Sequence, residues 1–535
     1  MQIRFQIIFS FFFLNCVVFQ LYAQKHDYNI IFGDFQIDTK GFNNGLLLDF
    51  NNNLIKQSSF DLKMSIVDCV MSDNDGKLLF YTSGCFIANK NHSTMLNGDS
   101  LNWDDTEHFE WSKYCNQKNF MSYYSDQLCL PDPNNMNIYH IISMLVDKNT
   151  YSIKLFQTKI DMNKDNGLGM VVEKNKVIAI DTFSHEQVPL ACKHGNGKDW
   201  WIVIPNFSPQ DTSKWDNTYS FFLLNQEGVK FHHKQDIGTK WGSWQWNGQS
   251  RFSPDGSKFV RYNPYNGLQI FDFDRCSGYF SNPKSIYLPR SPRKDPWNEN
   301  SNTIDTGFIF GGASFSPNSK LLYVSTAPIL YQFNLEENDI SSTRIIVGSY
   351  DTVKYRIDGT IGFFDHTMTP DGRIFVQSTY IDYDYQHVIN KPNELGKNCD
   401  FQIRGLKLIT PNYQYVNYFP NYRLGPLKGS TCDTLSVANK EITTDDFDIK
   451  LFPNPASTDI KINITLKDYD PAFKTEVVIV DISGAIVQKY TMPDFAYLAT
   501  IDISKLASGV YGVQLRQPKK FGERVLATQK LVVLR

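Results

Sequence analysis

The chain has 535 residues, 14% aromatic and 20% charged, with a formal net charge of −3. That length exceeds one ordinary core and implies two or more domains, unless the fold adds small cores around a ring. The aromatic content excludes a disordered chain, and the near-neutral charge gives no electrostatic case for nucleic acid or an anionic membrane as partner.

Arg4 is the only charge before Lys25, and Phe5 to Leu21 is mostly apolar. Small Ala23 follows. This pattern predicts a signal peptide over residues 1–23, cut after Ala23 to leave Gln24 as the new N-terminus. Gln6, Ser10, Asn15 and Gln20 interrupt the apolar run, which argues against a retained membrane anchor. No other run is long enough to span a bilayer, so the mature chain is expected to carry no transmembrane segment.

Of nine cysteines, Cys16 leaves with the signal. The even remainder in an exported chain allows disulfides. A two-residue turn at Asp75-Gly76 would place Cys69 opposite Thr82 and point Cys85 to the other face, which disfavours a Cys69–Cys85 bond. Cys115–Cys129 and Cys399–Cys432 are the pairs expected instead. Cys192 and Cys276 are equally well read as buried thiols. No CxxC or His-rich spacing supports a zinc site, and no cofactor is expected.

Two strands, Asn29 to Gly33 and Leu46 to Phe50, precede a series of hairpins. Their turns begin at Ser72, Pro131, His194, Ser253, Ser316 and Thr369. The turn Ser253-Pro254-Asp255-Gly256 is typical: Pro254 presets φ and Gly256 accepts φ > 0. The starts recur about every 59 residues, a period that marks one repeated supersecondary unit. Tyr28 to Ser430 then holds about seven units, with six the alternative, and predicts an all-β propeller over residues 24–432. The N-terminal strands would form one blade, completed by the segment after residue 402, so that no sheet edge stays free.

Residues 433–447 lose aromatics other than Phe447 and gain Asn, Lys, Thr and Asp, as a linker does. Beyond them Ile460, Ile462, Ile464 and Leu466 alternate with polar residues, a period of two. Further short strands follow, and the whole of 448–535 predicts a small immunoglobulin-like β-sandwich.

This last stretch resembles the type A C-terminal sorting domain of the type IX secretion system of Bacteroidetes. The matching residues are Leu451-Phe452-Pro453-Asn454-Pro455-Ala456-Ser457, Val480-Asp481-Ile482-Ser483-Gly484, Leu506-Ala507-Ser508-Gly509-Val510-Tyr511 and Lys530-Leu531-Val532-Val533. The resemblance implies a sorting role for Pro453, Asn454, Pro455, Gly484, Gly509, Tyr511 and Lys530. It also implies engagement of the type IX machinery, removal of the tail, and release or attachment at the cell surface. Through its Ser-Pro-Asp-Gly turns the propeller region resembles TolB-type and WD-repeat-like propellers. It is also similar to a group of uncharacterised Bacteroidetes surface proteins, which carries no known activity.

Chemical motifs are sparse. His185-Glu186-Gln187-Val188-Pro189 lacks the second His of a zinc protease helix. Asp161 to Gly167 begins like a calcium loop but misplaces its Gly. Trp241, Trp244 and Trp246 can stack on sugar rings or fill space between blades; the buried role is the expected one, with one Trp lining a groove. His194 and Asp199 flank a Gly-rich turn and can reach the channel mouth or hold strands together. Asp272/Asp274 and Asp382/Asp384 share strand faces but nothing places them in a pocket. The expected role is therefore binding of a glycan, peptide or protein partner. A hydrolase or lyase with its site at the channel mouth, and a structural part of a surface or gliding apparatus, are the alternatives.

Overall fold

The computed structural model describes residues 24–33, 44–51, 55–61, 69–103, 115, 127–146, 152–183, 189–206, 216–241, 248–264, 266–288, 293–294, 304–305, 311–326, 328–349, 362–378, 384–410, 418–433, 447–466, 476–481, 485–492, 498–519 and 522–535. The chain divides into two compact units, residues 1–432 and 433–535.

The hairpin turns explain why Ser/Thr, Pro, Asp/Asn and Gly recur together. In five of them the fourth residue's amide donates to the first residue's carbonyl: Gly76 to Asp73, Gly197 to His194, Gly256 to Ser253, Ser319 to Ser316 and Gly372 to Thr369. All five fourth residues have positive φ. The third residue's side chain accepts an amide beyond the turn, as Asp255 does from Ser257 at 3.0 Å and Asn318 from Lys320 at 3.1 Å. The first residue's hydroxyl does the same, Ser253 Oγ accepting from Lys258 N and Ser316 Oγ from Leu321 N, both at 2.9 Å. Short polar side chains thus replace the ladder bonds that the turn interrupts.

Two glycines separate the cost of φ from the cost of space. A Cβ on Gly372, at φ +82°, meets nothing closer than Pro317 Cγ at 3.8 Å. A Cβ on Gly256, at φ +72°, meets Arg275 Cδ at 2.7 Å, Leu424 Cδ2 at 2.8 Å and Cys192 Sγ at 2.9 Å. In urea denaturation, Gly372→Ala is expected to cost about 1–2 kcal/mol from backbone strain alone. Gly256→Ala adds roughly 1–3 kcal/mol of overpacking. Equal losses would show that the inner packing gives way freely.

Each hairpin supplies the first two strands of a sheet, and the strands follow one another outward in chain order. The first sheet holds Asn29–Phe32, Asn44–Asp49 and Lys56–Asp61. The second holds Cys69–Ser72, Leu78–Thr82 and Ile87–Asn89. The third runs Gln127–Pro131, Ile138–Val146, Ile153–Asp161 and Met170–Asp181. The fourth runs Leu190–Lys193, Trp200–Pro205, Asp216–Asn225 and Gly228–Trp241. The fifth runs Gln249–Phe252, Lys258–Asn263, Gly267–Phe273 and Phe280–Ile286. The sixth runs Ala313–Phe315, Leu321–Ser325, Ile329–Asn334 and Ile345–Ser349. The seventh runs Phe363–Met368, Ile374–Ser378, Tyr385–Ile389 and Phe401–Lys407. A two-stranded ribbon, Arg293–Lys294 with Ile304–Asp305, lies between the fifth and sixth in sequence.

The inner strands are buried on both faces because each sheet is covered by two neighbours. Ile31 of the first sheet packs with Val70 and Tyr81 of the second. One continuous core then joins the second to the fifth through Phe80, Ile141, Trp200, Phe222 and Phe259. Val260 and Leu268 of the fifth meet Leu322 and Phe333 of the sixth. Leu321 and Tyr323 of the sixth meet Phe363 and Val376 of the seventh. Phe375 and Val388 of the seventh pack on Ile30 and Leu48 of the first. The arrangement is propeller-like and all-β, with short 3₁₀ turns between some strands. Closure differs from expectation. Residues 401–407 form the outer strand of the last sheet and pair with Tyr385–Ile389, while the N-terminal strands make a sheet of their own. The two sheets join by packing and by Gln57, which donates to Lys407 O and accepts from Ile409 N.

The disulfides also differ from expectation. Cys129 bonds Cys69, Cys115 bonds Cys85, and Cys432 bonds Cys276. Cys399 and Cys192 are buried thiols. Cys69 does face Thr82, but the turn is longer than two residues and a bulge after Met71 restores the register. Cys69 and Cys129 lie on the first strands of adjacent sheets, a proximity across sheets that sequence spacing does not reveal.

In the second unit, Phe447–Phe452, Asp459–Leu466 and Leu498–Asp502 form one sheet. Ile486–Thr491, Glu476–Val480, Gly509–Lys519 and Gly522–Val533 form another, in that order. Ile460, Ile462 and Ile501 of the first share a core with Val477, Ile479, Val513 and Leu531 of the second. Among the described residues no helix is long and apolar enough to cross a membrane.

Candidate functional site

The first strands of the fourth, fifth, sixth and seventh sheets converge on a cavity of about 70 Å³. Lys193, Arg251, Ser314 and His366 line it from those strands, and Tyr418, Asn421 and Arg423 from the segment that follows the last sheet. Phe252, Phe315, Met368 and Leu424 supply apolar wall. The closing segment is firmly tied. Arg423 makes a bidentate ion pair with Asp27 at 2.6 and 2.7 Å. Tyr422 donates to Cys129 O at 2.9 Å and Asn421 to Pro254 O at 2.6 Å. Arg275 donates to Lys193 O, His194 O and Gly425 O, stitching the segment to the fourth sheet.

Gln249 orders the strands around the cavity. Its amide donates to His366 O at 3.0 Å and accepts from Ala313 N at 2.9 Å and His366 N at 3.0 Å. Arg251 donates to Ser250 O and, at 3.4 Å, to His366 O, and its guanidinium lies 4.7 Å from the centre of the Tyr418 ring. A bulge between Phe363 and His366 re-aims Phe364 and Asp365. His366 is fully buried between two hydroxyls, Nδ1 at 3.2 Å from Ser314 Oγ and Nε2 at 3.0 Å from Ser325 Oγ.

Burial sets the charge states. It lowers Lys193 to about 8, aided by the positive Arg275, although Lys193 Nζ donates to Gln24 Oε1 at 2.8 Å. It lifts the half-buried Asp365 carboxyl to about 6, against the pull of Arg251. It drives His366 down to about 3, with Arg251 adding to the effect. The adjacent pair therefore acts in opposite senses on stability. An unfolded His binds its proton below pH ~6.5 whereas His366 stays neutral to about 3, so stability falls as pH drops through that window. Asp365 keeps its proton to about 6 whereas an unfolded Asp releases it near pH ~3.9, so its share of stability falls as pH rises through that span. Asp365→Asn removes the second slope alone. Urea midpoints should then drop more between pH 6 and pH 4 than in the wild type; an unchanged drop would place Asp365 in ordinary solvent.

Among the residues singled out from sequence, Trp241 is buried, with the Arg261 guanidinium 4.3 Å from its ring centre. Trp200 and Trp201 are buried too, and Trp201 Nε1 donates to Arg275 O at 2.8 Å. Trp244 and Trp246 lie outside the described residues, as do Ala23, Gly484, Asp382 and His185. His194 and Asp199 hold their turn: His194 Nε2 meets Cys276 O at 3.0 Å, and Asp199 accepts from Asn196 Nδ2 at 2.8 Å. Asp272 pairs with Lys258 at 2.8 Å, and Asp274 caps Cys276 N at 2.9 Å. None of these lines the cavity. The ionisable groups that line it from the strands, Lys193, Arg251 and His366, share a sequence signal that went unused: each stands one to three positions before a turn, on the first strand of a hairpin. Among the described residues no group of three or more His, Cys, Asp or Glu is placed to hold a metal ion.

The tail motifs fold onto one another. Asn454 Nδ2 donates to Lys530 O at 2.6 Å and Asn454 Oδ1 accepts from Val532 N at 2.9 Å. Ala456 continues the pairing with Val532 and Leu534. The Tyr511 hydroxyl donates to Ala507 O at 2.9 Å, and Ser508 Oγ accepts from Arg535 N at 3.1 Å. Residues 450–533 match the secretion system C-terminal sorting domain. A tail of this kind implies interaction with the type IX machinery and export to the cell surface or the medium.

No curated protein matches the chain. Solved structures similar to it include a functionally unknown protein from Desulfotomaculum acetoxidans DSM 771, at 15% identity over 68% of this chain and 92% of that one, TM-score 0.34. A putative 6-phosphogluconolactonase from Bacteroides fragilis NCTC 9343 is similar at 10% identity over 72% and 96%, TM-score 0.36. The Dos1 propeller is similar at 9% identity over 63% and 71%, TM-score 0.35. Likenesses this distant say nothing of activity.

Proposed function

We propose that this chain is a secreted, seven-bladed β-propeller whose ring binds a ligand outside the cell and whose immunoglobulin-like tail is its export address. Residues 1–23 are the signal peptide, 24–432 the propeller, 433–447 a linker and 448–535 the sorting domain. The observation that carries the export half is the match of residues 450–533, whose motif residues Asn454, Tyr511 and Lys530 are tied into one fold. The binding half is supported by a cavity whose polar groups are fixed by Gln249, Arg275 and the Arg423–Asp27 pair, a pre-ordered site of the kind ligands use. A hydrolase or lyase is the second proposal. It is favoured by Asp365, whose carboxyl holds its proton to about 6, the state a general acid needs.

The deciding experiment screens the chain 24–535 on glycan and peptide arrays, with hydrolase and lyase assays on every compound it retains. Retention without turnover supports the binding role. Turnover lost in Asp365→Asn supports the enzyme, and silence in both screens defeats both.

A further inference from the structure

We propose that the cavity beside Lys193, Arg251 and Tyr418 binds a small organic carboxylate, its acid group drawn to the two cations and its apolar part laid on Phe252, Phe315 and Leu424. This rests on the binding role proposed above and names the ligand's chemistry.

The charge balance of the cavity points there. Asp27 lines it, but both its oxygens are engaged by Arg423, so that pair is self-neutralised. Among the described residues Lys193 Nζ meets the neutral Gln24 Oε1 at 2.8 Å and the face of Trp200, 5.1 Å away at its centre. Arg251 donates, among the described residues, to the carbonyls of Ser250 and His366 alone. Among the described residues neither Lys193 nor Arg251 makes an ion pair. Asp365 is, among the described residues, the one carboxylate whose field reaches Arg251, and it makes no ion pair with it. His366 is neutral and gives its two nitrogens to Ser314 and Ser325. Two cations in a walled site, with no anion paired to either among the described residues, are costly unless an anion enters. A guanidinium clamped by carbonyls and stacked on Tyr418 is also already in place for a carboxylate, with little side-chain freedom left to lose. About 70 Å³ suits an acid of a few carbons, and the phenyl and leucyl walls favour an apolar body over bare phosphate.

The chain 24–535 is titrated calorimetrically with propionate and with propionamide, its neutral counterpart, and in parallel with glucuronate and glucose. The acid of at least one pair binds and its neutral partner does not; glucuronate alone would identify a sugar acid as the source of the carboxylate. Arg251→Gln and Lys193→Met each weaken acid binding roughly tenfold or more, while Arg251→Lys, which keeps the charge, loses less. Near-UV circular dichroism of each variant confirms the packed ring. Because Lys193 lies near its midpoint at pH 8, acid binding there also takes up protons, read as a dependence of the heat on buffer ionisation. Equal binding of acid and neutral partner, or acid binding untouched in folded Arg251→Gln, overturns the proposal. Array ligands that survive both substitutions would defeat the carboxylate site and leave the binding role standing. No acid bound and no array ligand would defeat both.

Discussion

Without residues 447–535 the protein accumulates in the periplasm as a folded unit, and its level in the medium and on the cell surface falls to background. The physical ground is that the two units have separate cores. Every buried apolar residue of the tail core lies between Ile449 and Val533, and the cores joining the seven sheets draw on no residue beyond Leu424. Cys432 stays with the first unit, so its bond to Cys276 still forms. The truncation therefore removes the address without exposing a core. Fractionation followed by immunoblotting gives the location, and circular dichroism with urea denaturation of the purified fragment gives its fold. Normal amounts of the truncated chain in the medium would overturn the export role of the tail. An unfolded periplasmic fragment would overturn the independence of the two cores. A milder version of the same test is Asn454→Ala, which leaves Lys530 O and Val532 N without their side-chain partner and should loosen the tail by about 1–2 kcal/mol.

Architecture was legible because it is written locally. A turn needs a residue that tolerates positive φ and a side chain that replaces the broken ladder, and the Ser-Pro-Asp-Gly pattern states both within four positions. Recurrence of that pattern then fixes where the first and second strands of six sheets begin. The alternation of Ile460, Ile462 and their neighbours marked the tail in the same local way. What stayed hidden is what depends on neighbours far apart in the chain. Gln57 meets residues 407 and 409 across the closure, and no short motif records that contact. Cys69–Cys129 joins strands of different sheets and Cys276–Cys432 joins the fifth sheet to the closing segment. Trp241 is buried, as expected of a ring that fills space between sheets, and so are Trp200 and Trp201. The cavity is lined instead by Lys193, Arg251 and His366, one from each of three first strands. Arg251 sits just before the most conspicuous turn in the sequence, but its role emerges only once His366 and Tyr418 lie beside it.

Cys276→Ser, Cys432→Ser and the double variant are expected to lose the same stability, several kcal/mol, under oxidising conditions. The bond spans 156 residues, the longest of the three covalent loops. Closing a loop of that length in the unfolded chain is worth roughly 5 kcal/mol in the chain-entropy model, an upper figure because residual structure lowers it. It also anchors the segment that carries Tyr418, Tyr422 and Arg423 over the inner strands, backed by Leu427 N donating to Gly195 O at 2.8 Å. Gly195 lies against this bond: a Cβ there would meet Cys432 Sγ at 2.2 Å and Cys276 Sγ at 2.8 Å, so the bond fits only beside a glycine. Once either sulfur is gone the other has nothing left to contribute, which is why the losses do not add. Cys399→Ser is the informative contrast. It disturbs a buried thiol in the 3₁₀ turn between the third and fourth strands of the seventh sheet and touches no covalent loop, so its loss should add in full to that of Cys276→Ser. Urea denaturation of these four variants and of the Cys276→Ser/Cys399→Ser double against the wild type measures all of this. Additive losses for Cys276→Ser and Cys432→Ser would mean that the two sulfurs act separately, and that the closing segment is held by Arg423, Tyr422 and Arg275 alone.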